Sequence, residues 1–426
     1  MTPIDGRRFG PALAAIAAGG LALRVAYVLV LSPDTEGRGD SLFFHLQANL
    51  IGDGRGFIEP FGLLLDGASR PSAFHPPLFS YLLGAVSALG GESWTAQRLT
   101  GCLFGVVTIV FVGLAARRYA GARTGLAAAA VAALYPVLVA ADGAVMSESL
   151  YTALIAAVVT AALWLHDEPG ARPAAALGVA IGMAALTRSE ALALVVLLAL
   201  PLAWRAGPGA RRAPALVAVA ATVLCVLPWT VRNYVQFDRV VPVSASYGTL
   251  MAGANCDRTY SGPELGAWDI RCAARPGDVA DELERNDDNF DRAVDYIGDH
   301  PGEVPGVVAV RLLRTADLWQ PLRQARRAEG REPRFAQAGV FAFYLLVPFG
   351  LYGALLLRRS GRPLLPLVAP VVLVAAISVT AWGIPRFRAA AEVPLVICAG
   401  VALTALSSSA RRGPSGAAPG ARSRTS

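Results

Sequence analysis

The sequence predicts an all-α polytopic membrane protein with about ten or more transmembrane helices and two large loops on one side of the bilayer. Composition, run length and the placement of arginine carry that expectation. Hydrophobic residues make up 54% of the 426 positions and charged residues 16%, against roughly a quarter charged in a soluble domain. Mean hydropathy is +0.48. The net charge of +7 and pI near 9.4 would suit a nucleic-acid binder if the basic residues were clustered. Here they sit in short runs between apolar stretches, which is the pattern of membrane topology. The basic residues are all arginines, a usage that fits the codon bias of a GC-rich bacterial genome.

A helix needs about 20 apolar residues to cross the hydrocarbon. The expected spans are 11–31, 97–116, 124–141, 146–165, 173–186, 191–205, 214–229, 335–357, 363–382 and 389–406. The segment 72–89 is also apolar, but Pro76-Pro77 interrupts it, so it reads as a juxtamembrane or re-entrant helix. Alternating the spans puts Arg7-Arg8, Arg117-Arg118 with Arg123, Arg205 with Arg211-Arg212, Arg358-Arg359 with Arg362, and Arg411-Arg412 on one side. The short loops opposite hold only Arg188, Arg386 and Arg388. By the positive-inside rule the first side is cytoplasmic, with both termini inside and segments 32–96 and 230–334 outside. Residues 1–407 form one transmembrane domain, and the Gly/Ser/Arg/Pro-rich tail 408–426 reads as disordered and cytoplasmic.

Two polar segments stand out. The stretch from Arg38 to Tyr81 contains RGDSLFFHLQANLIGDGRGF and then RPSAFHPPLFSYL. Asp40 opens a helical pattern in it, where the helix dipole and free N–H groups favour an ionised carboxylate. It serves either as a cap or as a base, and the two are compatible. The second segment holds the acidic amphipathic run DELERNDDNFDRAVDYIGDHP, ended at His300-Pro301, and an apolar helix with Arg311 and Arg314 on one face. Cys256 and Cys272 lie in this segment and form a disulfide if it faces an oxidising compartment. The other three cysteines lie in apolar runs.

Ionisable groups at the ends of spans complete the candidate set. Glu148 enters a helix at an outer end, whereas Asp142 falls in what reads as a solvated turn after Tyr135-Pro136. Arg232, Arg386 and Arg388 oppose the topology bias. They either snorkel to headgroups or supply guanidinium forks for a phosphate. His75 precedes Pro-Pro near the membrane surface, in either a structural role or one toward phosphate or metal. HExxH, GxSxG, P-loop and dinucleotide motifs are missing from the sequence.

The ordered set GDSLFFHLQANLIGDGRGF, HPPLFSYLLG, LYPVLVAADGAVMSESL, TRSEAL, PWTVRNYVQFDRVVPVS and GIPRFRAAAEVP resembles the GT-C superfamily of membrane glycosyltransferases. The likeness is greatest to the bacterial glycosyltransferase family 39 enzymes, relatives of protein O-mannosyltransferases and of the lipid A aminoarabinose transferase. It covers nearly the whole chain. It implies a GT-C fold and inverting transfer of a sugar from a polyprenyl phosphate donor to an extracytoplasmic protein, lipid or polysaccharide acceptor at the outer face of a bacterial plasma membrane. It also implies Asp40 as the catalytic base and His75 as a phosphate contact. Some relatives carry Lys at the position of His75 and aromatic hydroxyls where Phe43 and Phe44 stand.

On this expectation Arg232, Arg386, Arg388 and His75 hold the phosphate. Glu148 positions the acceptor, orients an arginine or joins His75 on a divalent metal, with orientation favoured. The alternatives are a lipid-linked sugar flippase or transporter, which calls for internal repeats and broken helices, and a non-catalytic cell-wall assembly partner.

Overall fold

The computed structural model of the chain describes residues 6–35, 37–204, 212–274 and 281–410. Most of the expected tail and the arginines at 205 and 211 lie outside the described residues, as does the end of the expected span 191–205. Among the described residues the regular structure is helical, apart from one isolated bridge, Ile58–Pro71. Six helices are long and apolar enough to cross a membrane: Arg8–Leu31, Trp94–Ala120, Glu148–Asp167, Ala213–Phe237, Pro333–Arg359 and Pro385–Ser408. The chain is therefore a multi-pass membrane protein.

The remaining expected spans take other forms. Segment 124–141 is a bent pair, Ala122–Leu134 and Pro136–Asp142, turned by 60° at Tyr135. Pro136 cannot donate to the helical ladder, so the break falls where the sequence places it. Ala171–Ala185, Ser189–Leu202 and Leu365–Thr380 are shorter apolar helices, and the second of these runs through 3₁₀ and π turns. With the bent pair and these three counted as spans, the total reaches ten. Pro77–Ala88, the Pro-interrupted stretch, is the helix that closes the first polar segment.

Small side chains let the frame close. A Cβ on Gly353 would collide with the Cys398 carbonyl oxygen, so Pro333–Arg359 meets the last helix backbone to backbone. Lipid supplies no hydrophobic drive between helices, and close approach of this kind is what holds them.

Asp142 does not lie in a solvated turn. It is 2% exposed and paired with the wholly buried Arg24, Nε to Oδ2 at 2.7 Å. Arg24 also donates to the carbonyls of Gly20, Ala132 and Ala133. The Ala132 and Ala133 carbonyls are freed where the Tyr135-Pro136 break ends a helix, so the arginine satisfies the broken ladder and the carboxylate together. Arg98 repeats the device, donating from Nε to the Gly143 carbonyl and from Nη1 to that of Ser32.

The two long polar segments touch each other and so lie on one face. In the first, Asp40–Gly52 joins Pro77–Ala88 through Ser80 Oγ donating to Gln47 Oε1. In the second, the acidic run forms Glu282–Asp299 and is capped by Asp281, as its pattern predicts. Glu282 reaches across, accepting from the Ala73 N–H at 2.7 Å and from Ser72 Oγ at 2.8 Å. Cys256 and Cys272 are bonded, with Cα atoms 6.3 Å apart, which ties Tyr247–Ala254 to the short helix Ile270–Ala273.

Two outcomes follow from this frame. Arg24→Leu or Asp142→Asn alone should cost about 3–5 kcal/mol, since each leaves a buried partner uncompensated. Thermal unfolding of detergent-purified protein reads this, and a double substitution to leucine should recover much of the loss. Alkylation of the denatured protein without reductant, followed by mass spectrometry, should label Cys102, Cys225 and Cys398 but spare Cys256 and Cys272.

Candidate active site

A cavity of about 830 Å³ opens between the two polar segments and the helical frame. Its first wall is Gly39, Asp40, Phe43, Phe74 and His75; its second comes from Thr249, Trp268, Glu282, Arg285 and Asn289. Glu329 and Arg331 line it just before Pro333–Arg359, and Arg386 and Arg388 from the 3₁₀ turn Pro385–Arg388 that opens the last helix. Val137, Ala140, Met146, Gly339 and Val340 make an apolar side toward the membrane frame.

Asp40 is the first residue of its helix, after Gly39 at φ +56°. Its carboxylate makes no capping bond. It turns to Arg386 instead, Nη2 to Oδ2 at 2.6 Å, with His75 Nε2 3.6 Å from Oδ1. The capping role is thus replaced by a stronger charge-assisted partner. Burial alone would raise the Asp40 carboxyl, but Arg386 and then His75 outweigh it and hold it well below the usual carboxylate range.

His75 is set by aromatic rings. Phe43, Phe44 and Phe74 surround it at centroid distances of 4.7, 4.8 and 4.9 Å. The two phenylalanines that stand in place of hydroxyl-bearing residues therefore wall the imidazole and leave Asp40 as its polar neighbour.

Arg386 is the hub. Besides Asp40 it holds Glu329 through Nη1 to Oε2 at 2.9 Å, and its Nε lies 3.7 Å from Glu148 Oε1. Glu148 is 1% exposed and shares that oxygen with Arg188 at 3.1 Å; Arg188 in turn holds Glu190 at 2.7 Å. Glu148 thus orients two arginines from beneath the cavity. Burial, with Asp40 and Glu148 alongside, pushes the Glu329 carboxyl up despite Arg386.

Arg388 lines the cavity but is spent on structure. Its Nε meets Glu392 at 2.5 Å and its Nη1 meets Asp317 at 3.0 Å, while the guanidinium sits 3.6 Å over the Phe343 ring. Arg232 does not join the group. It donates to the carbonyls of Ser72 at 2.7 Å and Phe57 at 2.8 Å, and stacks on Trp229. With Glu282 it grips the strand-like stretch that delivers His75. Arg311 is likewise given to a backbone carbonyl, that of Ala254.

Sequence reasoning missed Glu329, Arg331 and Arg285. Neither arginine has a hydrogen bond or ion pair from its guanidinium among the described residues, and both line the cavity. For Glu329 and Arg331 the available signal was the charge alternation RRAEGRE abutting a span. As a metal site the donors do not fit. The Arg386 guanidinium contacts both Asp40 and Glu148, and among the described residues there is no cluster of three or more ligating side chains.

Arg232→Ala should loosen 57–75 while leaving the frame intact. Hydrogen exchange in that stretch should rise by about tenfold or more, as two charge-assisted bonds to carbonyls are lost; unchanged exchange would remove Arg232 from this role.

Residues 74–231 match the family model described as dolichyl-phosphate-mannose-protein mannosyltransferase. A comparison with curated proteins finds no match. Among solved structures, the chain is similar to the apo oligosaccharyltransferase of Archaeoglobus fulgidus, with TM-score 0.58 and 14% identity, covering 95% of this chain and 51% of that one. The oligosaccharyltransferase AglB of Archaeoglobus fulgidus, in complex with an inhibitory peptide and a dolichol-phosphate, gives TM-score 0.56 and 14% identity over 100% and 53% of the two chains. ArnT from Cupriavidus metallidurans bound to undecaprenyl phosphate gives 0.45 and 16% over 94% and 79%. The chain spans about half the length of the archaeal enzyme. The expected likeness to the GT-C membrane glycosyltransferases is borne out: the chain shares the fold of the archaeal oligosaccharyltransferase, and its residues 74–231 match the mannosyltransferase family model.

Proposed function

We propose that the protein is an inverting glycosyltransferase that moves a sugar from a polyprenyl phosphate donor to a hydroxyl-bearing acceptor at the outer face of the membrane. The observation that carries the reading is the Asp40–Arg386 pair at 2.6 Å, set in a cavity with one polar and one apolar side. An ionised carboxylate and a guanidinium held together suit a reaction that gains a proton at one end and releases a phosphate at the other. The family model and the archaeal fold, one of whose structures contains a dolichol-phosphate, support a lipid-linked donor.

In the proposed step the acceptor oxygen attacks the anomeric carbon from the face opposite the phosphate. The new C–O bond forms as the old anomeric C–O bond breaks, and that electron pair leaves on the phosphate. The acceptor proton passes to Asp40. Arg386, the unpaired Arg331 and His75 meet the phosphate and stabilise the charge it gains. Arg388 and Arg232 position these groups and are not direct contacts in this reading, while Glu148 orients Arg386 and Arg188. The apolar wall at Val137, Ala140, Gly339 and Val340 is suited to the first isoprene units.

One observation favours a second reading. The bent pair Ala122–Leu134 and Pro136–Asp142 lines the cavity at Val137 and Ala140, and broken helices at a binding site belong to transporters. A flippase needs no base. Purified protein is mixed with radiolabelled polyprenyl phosphate sugars, and released polyprenyl phosphate is counted. Asp40→Asn should lower release by about 10²-fold or more with donor binding retained. Full turnover in Asp40→Asn removes the base assignment, and lipid-linked sugar translocation without release in the wild type favours the transporter.

A further inference from the structure

Arg386 contacts more negative charge than it can neutralise. Asp40, Glu329 and Glu148 all approach one guanidinium at 2.6, 2.9 and 3.7 Å. With Arg188 and Glu190 included, four carboxylates face two arginines. An anionic ligand entering this cluster meets a surplus of its own sign.

The three carboxylates differ in how firmly they are held. Glu148 is 1% exposed and bonded to a second arginine, and Asp40 is fixed at the head of a helix beside His75. Glu329 is 36% exposed and lies on a loop beside Gly330, which has a φ of +64°. Arg386 is its ion-pair partner among the described residues. Its carboxylate lies directly over Gly39, where an added Cβ would meet Oε1 at 2.7 Å. It therefore covers the approach to Asp40 and occupies Nη1 of Arg386 together.

We propose that Glu329 is a built-in anion that occupies the phosphate-binding face of Arg386 and competes with the donor for it. This rests on reading Arg386 as the donor-phosphate contact. A carboxylate and a phosphate oxygen make the same charge-assisted bonds to a guanidinium, so Glu329 satisfies Arg386 in the empty cavity and keeps it aimed. Donor entry exchanges one anion for another, and Glu329 is the residue that sets the affinity for that exchange. Arg331, two residues further along the same loop and unpaired among the described residues, offers the displaced carboxylate or the phosphate a second positive charge.

The test uses full-length protein in nanodiscs, with farnesyl phosphate and farnesol as the two probes. Glu329→Gln keeps the size of the side chain and removes its charge, so farnesyl phosphate should bind roughly tenfold tighter. Farnesol, which has no anion, should bind unchanged, and Glu329→Asp should fall between wild type and the amide. Equal or weaker phosphate binding in Glu329→Gln, with wild-type binding and sugar release intact, overturns the competitor role and leaves the donor-site reading standing. If farnesyl phosphate binds neither protein, or binds Arg386→Gln as well as wild type, the donor-site reading fails and this proposal fails with it. Thermal unfolding of each variant separates loss of fold from loss of binding.

Discussion

The ion pair between Asp40 and Arg386 joins residues 346 positions apart, and the rest of the fold can be understood by what it takes to make it. Asp40 follows the first span and Arg386 stands at the start of the last, so the spans between them together have to return the chain to the same face. The pair also sits at the edge of an apolar frame, where an unmatched charge costs several kcal/mol. That cost explains why neither partner stands alone. Glu148 and Arg188 lie behind the guanidinium, and Glu392 and Asp317 hold the neighbouring Arg388.

Arginine does three separate jobs in this chain, and its chemistry accounts for all three. As a fork of donors it satisfies carbonyls freed by a helix break, as Arg24 does at Tyr135-Pro136. As a long stem it crosses between segments, as Arg232 does in reaching Ser72 and Phe57. As a permanent charge it holds carboxylates ionised, as Arg386 does for Asp40. The chain has no lysine, and a point charge on an ammonium would serve the first two roles poorly. At Arg24, Arg232 and Arg386 the positive charge is therefore explained by geometry.

The frame was largely legible in the sequence because lipid imposes long apolar runs and proline imposes breaks. Span positions, the kink at Pro136 and the amphipathic helix ended by His300 follow from period and composition alone. The convergence of Asp40, His75 and Arg386 followed from placing polar segments on one face. Partner choice was less legible. Asp142 and Arg24 are 118 residues apart, and no local pattern distinguishes a buried pair from a solvated turn. Arg232 was expected to snorkel to headgroups or hold a phosphate, and its use on the carbonyls of Ser72 and Phe57 went unread because a guanidinium fork fits phosphate and carbonyl oxygens alike. Glu329 and Arg331 were hidden in a charged loop whose residues are unconstrained by the positive-inside bias.

The same cluster bears on how a weak base is made effective. A carboxylate held by a guanidinium at 2.6 Å is ionised but reluctant to take a proton. On the proposed reading, the phosphate takes the place of Glu329 on Arg386 and gains negative charge as the anomeric bond breaks, so the guanidinium is drawn away from Asp40 and the carboxyl becomes more basic as the leaving group departs. Base strength and leaving-group stabilisation then rise together through one arginine. The ring wall of Phe43, Phe44 and Phe74 keeps His75 beside Asp40 during that exchange. Glu148, bonded beneath to Arg188, keeps Arg386 from following the phosphate out of the site. On that reading Asp40 stays a poor base while Glu329 is the anion on Arg386 and a better one as the phosphate gains charge there, which ties proton transfer to the departure of the donor's phosphate.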